Sequence, residues 1–182
     1  TKLVGAFERG AEEGRLIAWM RNDDEQNAIK ETGIDASLPD PDDPSADPVA
    51  GVYFNNLSFS KLDWYLNADT QIGQGVKNGD GTCSYRITVT LTNIMTQEEA
   101  GKLPDYVAAS APDAARDDER LNVSLFAPTG GNISDLTVEG TQFGLGAATW
   151  HGIPFYSGTV DLHAGETTTI TYTLTTSAEA GD

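Results

Sequence analysis

Cys83-Ser84-Tyr85-Arg86-Ile87-Thr88-Val89-Thr90-Leu91-Thr92 alternates without a break between apolar and polar side chains. Successive side chains of an extended backbone point to opposite faces, so this stretch reads as a strand with one dry and one hydrated face. Ile170, Tyr172 and Leu174 alternate with threonines in the same way, Leu121, Val123 and Leu125 give a third case, and residues 133–138 a weaker fourth. Asn78-Gly79-Asp80-Gly81 and Ala164-Gly165-Glu166 supply turn chemistry just ahead of the first two of these strands. Strands with one polar face argue for antiparallel sheets stacked as a sandwich, with a closed barrel as the alternative.

The N-terminal third has a different period. Leu3, Phe7 and Ala11 recur at helical spacing. Leu16 to Met20 is a short apolar run that suits a buried strand, or a helix. Asn22 is then placed as an N-cap, Asp23, Asp24 and Glu25 fill the first turn where a helix favours anions, and Gly33 suits the far cap. Residues 35–48 hold five Asp and four Pro in fourteen positions, the composition of an extended acidic linker. The expected fold is therefore α+β: a small helix–strand–helix piece (1–34), the linker (35–48), an Ig-like antiparallel β-sandwich (49–176) and a disordered tail (177–182). Pro104 to Arg120 is expected to be a long exposed loop with at most a helical turn.

The chain has 28 acidic and 11 basic residues in 182, a formal net charge of -17. Such a surface repels phosphate backbones and anionic lipid, which sets aside nucleic acid and membrane surfaces as partners. Cys83 is the single cysteine, so an intrachain disulfide and a cysteine-type zinc site are excluded. No run approaches the roughly 20 apolar residues of a bilayer span, and no signal peptide is evident. The chain opens inside a helical pattern, so an anchor or targeting segment is expected upstream.

Catalytic signatures are sparse. Ser58-Phe59-Ser60-Lys61 fits Ser-x-x-Lys but lacks the partner motifs of penicillin-recognising enzymes. His151 and His163 flank an expected strand, in positions typical of solvated turn histidines. Gly144-x-Gly146 has no lysine nearby and reads as a strand irregularity rather than a phosphate loop. No catalytic residue and no cofactor are expected. Calcium is the one metal the acidic linker brings to mind, through Asp40, Asp42 and Asp43, although the glycine and glutamate of an EF-hand loop are missing. For a ligand face, strand alternation through 61–67 puts Lys61, Asp63, Tyr65 and Asn67 opposite Leu62, Trp64 and Leu66. With Asn55, the residues Lys61, Asp63 and Tyr65 form the candidate glycan-binding set.

Gly51-Val52-Tyr53-x-Asn55 followed by Ser60-Lys61-Leu62-Asp63-Trp64-Tyr65-Leu66 resembles the hallmark of an actinobacterial family known as domain of unknown function four-thousand-and-twelve. The family pattern has Leu, Met and Tyr where this chain has Phe54, Leu62 and Trp64. The resemblance extends to Glu13–Trp19, Arg86–Asn93, Leu103–Val107 and Ser124–Pro128. It implies an extracellular protein anchored to the membrane by an upstream helix. The upstream part is similar in outline to envelope proteins that transfer glycopolymers onto peptidoglycan. The role expected here is a non-catalytic accessory or interaction domain, with an envelope glycan or another envelope protein as partner. A part that shapes substrate for an upstream catalytic domain, or a structural stalk, are the alternatives.

Overall fold

The computed structural model describes residues 2–12, 16–35, 37, 42, 47–111, 113–139, 141–142 and 146–180. The chain divides into two compact units, Thr1–Pro39 and Asp40–Asp182.

The first unit carries α1 (Lys2–Glu12) and α2 (Asp23–Lys30). Asn22 caps α2 as its sequence predicts: the side-chain oxygen accepts from the backbone N–H groups of Asp24 (3.0 Å) and Glu25 (3.2 Å). Gly33 takes the left-handed backbone, φ +72°, just past the helix end. The strand expected over Leu16–Met20 is absent. The run has no regular secondary structure; Ala18 N–H bonding to the Ile34 carbonyl (2.8 Å) is no ladder, and Ile17 and Trp19 are exposed. Three elements were expected, and only the two helices form.

The second unit is antiparallel β throughout. Its strands are β1 (Gly51–Asn56), β2 (Leu66–Ile72), β3 (Val76–Lys77), β4 (Cys83–Asn93), β5 (Glu119–Phe126), β6 (Asn132–Val138), β7 (Thr141–Gln142), β8 (Gly146–Trp150), β9 (Ile153–Leu162) and β10 (Thr167–Thr175). One sheet has the order β1-β5-β9-β8; the other has β2-β4-β10-β6-β7, with β3 also on β4. A short helix, α3 (Gln97–Lys102), lies between β4 and β5.

The alternation read from the sequence sets the layers. Ile87, Val89 and Leu91 of β4 and Ile170, Tyr172 and Leu174 of β10 are buried against Leu121, Val123 and Leu125 of β5, so the two sheets share one core. The weak alternation in 133–138 has a local cause. Ile133 and Leu136 are both buried although three residues apart. A register shift on β10 between Thr171 and Thr173, with Asp135 at φ +51°, inserts the extra residue that turns both inward. The turns fall where glycine permits them, Gly81 at φ +93° and Gly165 at φ +81°. Residues 177–180, expected to be disordered, form a turn: Ser177 is buried, and its hydroxyl accepts the Glu179 N–H at 3.0 Å.

Candidate functional site

One end of the second unit gathers the loops that the sequence singled out. Residues 62–65 are not part of a strand but one turn of 3-10 helix. Side chains three apart eclipse in that geometry, so Leu62 and Tyr65 fall on the same inner side and Trp64 swings out. Leu62 is fully buried with Met95 and Ala100, Tyr65 packs against them, and Trp64 is 86% exposed. The face expected to carry Lys61, Asp63, Tyr65 and Asn67 together does not exist. Asn55 and Lys61 are exposed on separate elements, and Asp63 accepts a hydrogen bond from Asn56 Nδ2 at 3.1 Å.

Ser58 holds this end together. It is fully buried; its hydroxyl donates to the Asp118 carbonyl (2.7 Å) and accepts the Arg120 N–H (2.7 Å). Its own carbonyl accepts from Ser110 N–H (3.0 Å) and Ala111 N–H (3.1 Å). All these partners are structural, so the Ser-x-x-Lys match carries no nucleophile. Lys61 N–H bonds the Val107 carbonyl (3.0 Å), and Ser110 Oγ donates to the Phe59 carbonyl (3.0 Å), locking loop 57–61 to loop 104–111. Phe59 is held at φ +52°, a conformation costly for a bulky residue, with its ring 77% exposed. Tyr106 on the second loop is exposed as well.

Beneath these loops, Asn93 is fully buried; its amide donates to the Asp117 and Leu162 carbonyls, both at 3.3 Å, and its oxygen accepts the Met95 N–H. Glu119 is also fully buried, and neither of its carboxyl oxygens has a hydrogen-bond partner. Burial, reinforced by the charge of Asp63, pushes its carboxyl up to about 7. Asp118 is raised by burial and by Asp161, against the opposing pull of Arg120, whose guanidinium lies 3.5 Å away.

Of the remaining candidates, His163 borders this end, next to Ala164 of the Leu62 cluster. His151 occupies the turn between β8 and β9 at φ +47°, against the Trp150 ring. His163 follows β9, its Nδ1 4.0 Å from Asp117 Oδ2. Cys83 is half-buried at the start of β4. Asp40, Asp43 and Gly144 lie outside the described residues, and Asp42 sits in a turn. Among the described residues no cluster of His, Cys, Asp and Glu is arranged to hold a metal ion.

The sequence reading missed the outer face of the four-stranded sheet. Phe126 stacks on Phe155 with centroids 4.9 Å apart, meets Tyr53 edge-on at 5.5 Å and approaches Trp150 at 6.2 Å. The alternation was available to find it: with Val52 and Phe54 inward, Gly51, Tyr53 and Asn55 must point outward, and Phe126 lies opposite Gly51. Gly51 is part of the arrangement, because a Cβ there would come within 2.4 Å of the Tyr53 ring. No protein-family model matches this chain, and neither the curated proteins nor the solved structures hold a significant match to it.

Proposed function

We propose that this chain is an extracytoplasmic, non-catalytic interaction domain of a cell-envelope protein that serves glycopolymer assembly, held at the surface by a membrane anchor elsewhere in the full protein. The resemblance of residues 51–66 to the actinobacterial envelope family supports the location. The Ig-like relation belongs to the same proposal, supported by two antiparallel sheets between which the chain repeatedly crosses.

The observation that carries the role is the clamped loop end. Phe59, Trp64 and Tyr106 expose their rings on backbone that hydrogen bonds fix in place. Rigid exposed aromatics are the usual anchors of a protein interface, because they bury much apolar area and lose little side-chain entropy. The partner is another envelope protein. Isolated actinobacterial envelopes that retain their proteins should bind the chain in a sedimentation assay. Trp64→Ala combined with Tyr106→Ala should weaken that binding about tenfold, and protease treatment of the envelopes should remove the same component. If the double variant binds like the parent, the loop end is not the contact.

One observation favours a second reading, in which this region supports an upstream catalytic domain. No described side chain between residues 4 and 35 is buried, and Phe7, Ile17 and Trp19 are 55%, 65% and 73% exposed. A helical unit with that much bare apolar surface needs a covering domain. Transferase activity found only in a longer chain, and lost on Trp19→Ser, would establish it.

A further inference from the structure

We propose that the outer face of the four-stranded sheet is a binding site for a neutral, hydroxyl-rich glycan chain, laid across the row Tyr53, Phe126, Phe155 and Trp150. The site is separate from the loop end and does not depend on the protein-docking role assigned there.

Each strand contributes one ring: Tyr53 from β1, Phe126 from β5, Phe155 from β9 and Trp150 from β8, in the order of the sheet. The rings cluster around Phe126, which contacts the other three, and the two on the edge strands, Tyr53 and Trp150, are 59% and 48% exposed. Packing alone does not require such a row, since both sheets already bury their inner faces in the shared core. Gly51 has no side chain where one would displace the Tyr53 ring, so the backbone itself makes room for it.

Beside the row the same face turns polar but not charged. Asn122 and Ser157 bond at 2.7 Å, Ser124 approaches Ser157 at 3.4 Å, and Asn55 stands opposite Asn122 on β1. Thr159 is paired with Asn122 on the other side and exposed. The first charges along the face, Arg120 and Asp161, neutralise each other at 2.7 Å. In a chain of net charge -17 this is an uncharged island.

The chemistry selects the ligand. A sugar ring has an apolar face of C–H groups that stacks on an aromatic face, and hydroxyls at its rim that amides and hydroxyls satisfy. Carboxylated or phosphorylated chains find Arg120 already paired with Asp161 and meet the repulsion of the whole molecule.

The test is native affinity electrophoresis of the full chain through gels containing mannan, galactan or a soluble β-glucan, and separately the anionic polygalacturonate. At least one neutral polymer should retard the chain and polygalacturonate should not. Tyr53→Ala and Trp150→Ala should each weaken retardation about tenfold or more, and Trp64→Ala should leave it unchanged. Titrating the retarding polymer's oligosaccharide into the unaltered protein gives a readout independent of any variant: the amide resonances of residues 53, 55, 126, 150 and 155 should shift. Retardation by none of the neutral polymers, retardation by polygalacturonate alone, shifts confined to residues 58–64 and 104–111, or loss of binding in Trp64→Ala instead of Trp150→Ala would each overturn the proposal. The loop-end assignment survives or fails on its own envelope assay.

Discussion

Glu119 is the residue that most constrains how this molecule behaves in solution. It ends the inward-facing series Glu119, Leu121, Val123 and Leu125 of β5, so alternation drives a carboxyl into the buried interior. Neither oxygen finds a donor, and the neighbouring Asp63 adds like charge. The native state therefore keeps Glu119 protonated up to about pH 7, whereas the unfolded chain loses that proton near its ordinary value of 4.5. Between those values the native state binds more protons, so stability falls as pH rises. The stability is fully present below pH 4.5 and is lost on passing the raised value, a difference of at most about 3 kcal/mol. Glu119→Gln removes the ionisation and should unfold at higher urea than the parent at about pH 8 while matching it at about pH 4.5. Parallel pH profiles for the two proteins would show that Glu119 ionises freely in the fold.

Residue-level legibility varied for a related reason. The Asn22 cap could be read because its hydrogen bonds span only two and three residues. The ligand set could not: a single 3-10 turn exchanges the roles of Trp64 and Tyr65, and its burial rests on long-range packing of Leu62 against Met95. Glu119 looks on paper like any surface acid.

At the scale of elements, strict alternation was the dependable signal. β10 pairs with β4 over its whole length, from Thr167 opposite Thr92 to Thr175 opposite Ser84, and Ile87, Val89, Leu91, Ile170, Tyr172 and Leu174 face the core. Where a strand breaks the period, as β6 does with its bulge, the signal fades although the strand is real. α3 was overlooked despite a local signature. Thr96-Gln97-Glu98-Glu99 is a capping box: Thr96 Oγ1 accepts the Glu99 N–H at 3.2 Å, and Glu99 Oε2 accepts the Thr96 N–H at 2.9 Å. The helix is too short to show an apolar period, so its cap is the only sequence evidence for it. Those two bonds also matter energetically, because a six-residue helix holds itself together poorly. Thr96→Ala should cost about 1 kcal/mol in urea unfolding. The loss should leave the β4 and β10 amides unaffected in hydrogen exchange, since the cap touches neither strand's ladder. A cost near zero would mean that Ala100 packing alone holds α3.

For the whole molecule, the decisive fact is where burial resides. Every buried side chain among the described residues belongs to the second unit, and the large core and the small cluster around Leu62 both lie within it. The arrangement in two antiparallel sheets was legible because those cores are made by repeated short-range alternation. The first unit was legible only in its helices: the Leu16–Met20 run has strand-like composition, but a strand needs a neighbour, and a sequence pattern cannot supply one. If stability follows burial, residues 40–182 should fold without the first thirty-nine. The shortened chain should then show the same cooperative urea midpoint as the full chain, within the roughly ±0.5 kcal/mol expected of changes at exposed sites. Leu125→Ala should lower both by the same amount, about 2–5 kcal/mol, because Leu125 is fully buried between the sheets. A shortened chain that loses cooperativity would place part of the folding energy in the helical unit, and with it the apolar surface of Phe7 and Trp19.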